Sequence, residues 1–285
     1  GGDITQTGAL EVAGTSSLNA GSGSISLTDA NNDFTGAVNL TGNMVWLTDK
    51  NALTLGTLDV LALSVTSGGA LNLGSGTTAS LVASTGTSNA AITQTGALSV
   101  TSTSNLNAGT GDITLTNAAN DFGGVVNLTG GTTSITDANA LTLRMLGTGA
   151  LTVASGGALN LGSGSAASLN ASTGTSNGAI TQTGALAVTG TSSLNAGTGS
   201  ITLTNANNDF GGAASLSGGT VSINDMNALT LGTLSTGALT VASNGALDLG
   251  SGAAMSLNAS SNGGNMTQTG ALSVSGTSTL DAGTG

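Results

Sequence analysis

Ile4-Thr5-Gln6-Thr7-Gly8-Ala9-Leu10 decides the reading of this chain, because the chain repeats it. The same seven residues begin at Ile92 and Ile180, and Met266-Thr267-Gln268-Thr269-Gly270-Ala271-Leu272 is a copy with one change. The offsets are 92 − 4 = 88, 180 − 92 = 88 and 266 − 180 = 86. A fixed period carried through a chain signals a repeat architecture, in which each unit packs only on its neighbours. The chain reads as one solenoid segment over 1–285, with repeats 4–91, 92–179 and 180–265 and a partial repeat 266–285. Both ends fall in phase with the period, so the expectation is a segment of a longer array.

A shorter rhythm lies inside the repeat. Alternating segments begin at Ile4, Ile25, Val45 and Leu71, and the next repeat begins at Ile92. That spacing predicts four coils of about 22 residues per repeat. Apolar and polar residues alternate in Ile25-Ser26-Leu27-Thr28 and Val45-Trp46-Leu47-Thr48, which is the pattern of a half-buried strand. Gly14, Gly21, Gly23, Gly36 and Gly42 separate such segments and suit the corners of a coil. The expected fold is all-β, a right-handed parallel β-helix (β-solenoid) with rungs about 4.8 Å apart and a length of about 60 Å. A β-propeller or sandwich array fits less well, because long aromatic-rich strands are missing.

Composition narrows the function. Two basic residues against 13 acidic ones give a net charge of −11. That leaves no basic footprint for nucleic acid or anionic lipid. No apolar run approaches the ~18–20 residues of a membrane-spanning helix. The chain has no Cys, which excludes disulfides and thiolate metal sites, and no His for proton shuttling. No nucleophile elbow or phosphate loop is present. The reading assigns no catalytic residue, metal ligand or cofactor, and expects a non-enzyme.

Several recurring residues are candidate sites. Asn32-Asp33-Phe34, Asn120-Asp121-Phe122 and Asn208-Asp209-Phe210 recur at the full period, as do Asp49, Asp137 and Asp225. Carboxylates at fixed spacing can hold a cation, but Asn and Asp also shape corners through backbone hydrogen bonds while Phe plugs the core. The corner role is the expectation for all of them. Gln6, Gln94, Gln182 and Gln268 follow an inward Ile or Met by two residues, so each is expected to cap backbone groups at a corner. Thr5, Thr7, Ser26, Thr28, Thr93, Thr95, Thr114 and Thr116 are expected to face outward, and a flat Thr array of that kind suits an ice-binding face as a remote alternative. Trp46, the single Trp, is expected to point outward as a surface contact, where Ser134 and Ser222 stand in the other repeats. Arg144 replaces Gly56 and Gly232, which predicts a different corner there.

Ile180–Leu186, Leu194–Gly197 with Ile201–Thr204, Asn208–Gly212 and Asp137–Leu143 together resemble the repeat region of large bacterial exoproteins, the filamentous-haemagglutinin-like adhesins of the two-partner secretion type. The resemblance covers essentially the whole chain. It implies a secreted β-helix at the surface of a Gram-negative bacterium, passed through an outer-membrane secretion partner. The expected function is that of a structural, rod-forming segment of such a fibrous adhesin. Its partners would be host or neighbouring-cell glycans or proteins. The alternative is a self-assembling extracellular filament or matrix protein, whose partner is itself, end to end or side by side.

Overall fold

The computed structural model describes residues 1–284, and the chain clusters into two compact units, Gly1–Asn139 and Ala140–Gly285. Each unit is a β-solenoid of parallel rungs, and the described residues comprise about 15 turns in all. Among the described residues every regular element is a strand, so no helix is long and apolar enough to cross a membrane.

Alternation puts every second side chain inside. In the strand Ile113–Leu115, Ile113 and Leu115 are buried while Thr114 is exposed, and Thr116 beyond it is exposed too. Rungs then align like on like. Ile25 pairs with Val45, Val45 with Leu63 and Leu63 with Leu81, all essentially buried, and together they form a continuous apolar column. Phe34, Phe122 and Phe210 are the largest fully buried side chains, each closing a corner of its coil. Burying a side chain of that kind stabilises by roughly 1.5–3 kcal/mol.

The number of coils differs from the sequence expectation. From Ile4 the register runs through Ile25, Val45, Leu63 and Leu81 to Ser104. Five coils therefore consume 104 − 4 = 100 residues, twelve more than one repeat. Ile92 stands in another column, paired with Leu71, which pairs with Leu53. The second unit does the same, from Ile180 through Ile201, Val221, Leu239 and Leu257 to Ser278. A repeat is thus about four and a half coils and not four. The source of the difference is coil length, which falls to 63 − 45 = 18 residues and rises to 104 − 81 = 23. The stretch from Val45 to Leu71, counted as one long coil in the sequence, is one short coil and part of the next.

This half-coil remainder controls what can stack. Successive copies of Ile-Thr-Gln start on different sides of the coil, so a repeated residue does not line up with its own copy. The outward column from Thr5 reads Ser26, Trp46, Ser64, Val82 and Asn105. The column from Asn72 reads Thr93, Thr114 and Ser134. Thr stacks on Thr for two rungs at most along these columns, which Trp46 and Asn72 interrupt.

One close approach between paired strands depends on glycine. Gly76 has φ +134°, and a Cβ there would lie 2.1 Å from the Leu58 carbonyl oxygen of the rung below. Gly252 repeats the geometry against Leu234. Only a residue without a side chain lets the two rungs approach at that point.

Candidate functional site: the buried polar corner

The recurring polar residues converge on one corner of the coil. Asn32, Asn120 and Asn208 are fully buried, and each pairs with the Gln 26 residues before it. In the second repeat, Gln94 Nε2 donates to Asn120 Oδ1 at 2.7 Å and Asn120 Nδ2 donates to Gln94 Oε1 at 2.8 Å. The remaining capacity goes to the backbone. Leu98 N donates to Asn120 Oδ1, Asn120 Nδ2 also donates to the Leu115 and Thr136 carbonyls, and Gln94 Nε2 donates to the Gly96 carbonyl. A buried amide needs partners of this kind, since an unpaired one costs about 1–3 kcal/mol. Gln268 donates to the Gly270 carbonyl.

The aspartates complete the corner one rung on. Phe34 N donates to Asp49 Oδ2 at 2.6 Å and Asn51 N to Asp49 Oδ1 at 2.8 Å. Asp137 takes Phe122 N and Asn139 N in the same way, and Asp225 takes Phe210 N and Asn227 N. All three carboxylates are buried. Burial pushes the Asp137 and Asp225 carboxyls above the usual carboxylate range, against the pull of those backbone N–H donors, and the nearby carboxylates of Asp121 and Asp209 add to the rise. The Asn-Asp-Phe and Asp columns, separate in the sequence, are therefore one assembly. The middle residue of the triplet faces the rim.

Among the described residues, only the first repeat has a cation at that rim. Lys50 Nζ lies 3.1 Å from Asp33 and 4.0 Å from Glu11. Its hydrogen bond holds the Asp33 carboxyl below the usual range, and Asp33 raises Lys50 in return. Ala138 and Met226 occupy the Lys50 position in the other repeats.

Sequence reasoning missed the hydroxyl members of the corner. Ser67 pairs in register with Asp49 and donates to the Asn51 carbonyl at 2.6 Å. Ser243 pairs with Asp225 and donates to the Asn227 carbonyl. Thr85 and Ser261, one coil further, are also buried and donate to the Ala90 and Gly264 carbonyls. Small polar residues recurring 18 apart, at 49, 67 and 85, were the available signal.

Elsewhere, Trp46 points outward and is 39% exposed. Arg144 is exposed. At the equivalent corner a Cβ on Gly56 would lie 2.2 Å from Asn39 Oδ1, which accepts from Thr57 N, so a side chain there excludes that hydrogen bond.

A family model described as "Repeats of unknown function (DUF5649)" matches residues 1–41, 60–129, 148–217 and 236–285. The chain belongs to this family of repeats. No curated protein and no solved structure matches the chain. The intervals that the family model leaves out, 42–59, 130–147 and 218–235, are one short coil each and recur at the 88-residue period. Trp46, Lys50, Arg144 and Met226, which are unlike their counterparts, fall inside them.

Proposed function

We propose that the chain is a structural segment of a fibrous protein secreted to, or displayed on, a bacterial cell surface. Its stacked rungs hold exposed faces in fixed positions, and those faces make the contacts. The observation that carries this reading is the fate of the recurring polar side chains. Asn, Gln and Asp at each corner bond mainly to backbone groups and to one another, so the residues best suited to chemistry are used to fix the coil. Parallel rungs with satisfied corners suit mechanical rigidity, because each coil opens only by breaking its ladder to both neighbours. The resemblance to filamentous-haemagglutinin-like repeats supports the bacterial, secreted setting and the adhesive role.

The test is the intact mass of the native polypeptide, with protease shaving of whole cells. A chain of several hundred kilodaltons, cleaved from intact cells, is the expected result. A polypeptide of only a few repeats would overturn the stalk in favour of subunits that assemble into a filament. Protection inside intact cells would overturn the surface setting altogether.

A further inference from the structure

The first repeat carries a groove built from three consecutive rungs. Met44 pairs with Ala62 and Ala62 with Ser80, while Trp46 pairs with Ser64 and Ser64 with Val82. The middle rung therefore presents small side chains, with Met44 and Trp46 standing above it on one side and Val82 on the other, where Ser80 leaves the depression open. The result is a depression of ≈ 150 Å³ along the strand direction. Its floor is Ala62 and Ser64, and its walls stand about 9.6 Å apart, two rung spacings. Met44 and Val82 are each 42% exposed, so the walls are open to solvent.

Four of the six outward groove residues differ from the other repeats, while Ala62 and Ser80 match Ala150 and Ala238, and Ser168 and Ser256. Where repeat 1 has Met44, Trp46 and Val82, the others have Thr132 and Thr220, Ser134 and Ser222, Asn170 and Asn258. The floor residue Ser64 is replaced by the larger Thr152 and Thr240.

The chemistry of the groove selects its occupant. None of the lining residues is charged, and Thr48, Thr66 and Ser84 carry hydroxyls in register two residues further along the same three strands, beyond the lining. An indole face beside neutral hydroxyls matches a sugar ring, which offers apolar C–H faces and a rim of hydroxyls. Eight lining residues are too few for a stable protein interface, which takes about 20–30 residues a side. We propose that this groove binds a neutral linear saccharide, with one pyranose ring over Ala62 and Ser64 and stacked against Trp46. The proposal rests on the surface-displayed reading above for its setting and names the partner class of that surface.

Trp46 is the only Trp, so its fluorescence reports on the groove alone. The whole chain is titrated with cellopentaose, maltopentaose and penta-N-acetylchitopentaose. At least one is expected to give a saturable spectral change. Ser64→Thr installs the residue that the other repeats carry, keeps the fluorophore, and is expected to weaken binding about tenfold by filling the floor. No saturable change from any of the three up to about 10 mM, tenfold above the millimolar range, overturns the proposal. So does equal affinity in Ser64→Thr. A spectral change that follows protein concentration, with dimers in sedimentation, overturns it in favour of a contact between copies. The intact mass and the protease shaving fail or succeed separately from these outcomes.

Discussion

The corners of the first and third repeats share a frame and differ at the rim. Inside, Gln6–Asn32 and Gln182–Asn208 make the same reciprocal amide pair, and Asp49 and Asp225 hold the same two backbone N–H groups. Outside, Glu11, Asp33 and Lys50 form a charged cluster in the first repeat, where the third has Ala187, Asp209 and Met226. The difference shows where this architecture tolerates change. Buried polar groups are held by a strict count of donors and acceptors. Rim charges sit in water, where an ion pair contributes little.

Four experiments test that division, from the strongest expected effect down. Asn208→Leu strands Gln182 and the Leu186 N–H in a buried corner. It is expected to destabilise the second unit by about 3 kcal/mol or more, read from chemical denaturation. Asn32→Leu should cost a similar amount, and a much smaller loss there would mean that the two frames are not equivalent.

The next effect is in pH. The folded Asp225 carboxyl titrates above its ordinary value, so between that raised value and about 3.8 the folded state binds more protons than the unfolded one. Stability from this group is then highest below the unfolded value and falls as pH rises through the folded one. The melting temperature should rise as pH is lowered from 7 toward 4, and Asp225→Asn should flatten that rise. An unchanged profile in the variant would remove Asp225 from the account.

Met226→Lys gives the third repeat the cation of the first. It is expected to change the unfolding free energy by no more than about 0.5 kcal/mol, with any gain lost in high salt. The smallest effect is that of Lys50→Ala. The melt should stay where it is, while the Asp33 carboxyl, followed by NMR, titrates closer to its ordinary value. A large loss of stability from Lys50→Ala would make the rim part of the frame.

The sequence showed more of the pattern than of the geometry. Ile25, Leu27, Leu47 and Leu115 could be placed inside by alternation alone, and Thr116 and Trp46 outside. The four-coil division failed because the segment starts were taken from similar phrases. Val45 and Leu63 are register partners that look unalike in context, and an 18-residue coil has no separate signature beside a 23-residue one. The corner assembly was half visible. Asn120, Gln94 and Asp137 stood out by repetition, but nothing in their spacing says that Gln94 bonds Asn120, or that Asp137 holds the Phe122 N–H.

By itself, the sequence determined the repeat, the parallel β class and the side each strand residue faces. Period and alternation are local properties of the chain, and burial follows them directly. Tertiary structure alone decided the register between coils, and with it the half-coil remainder, the amide pair and the groove beneath Trp46. Each of these depends on which residues meet across a rung. That is set by how much chain each corner consumes, a quantity that glycine angles and bulges fix and that residue identity alone does not record.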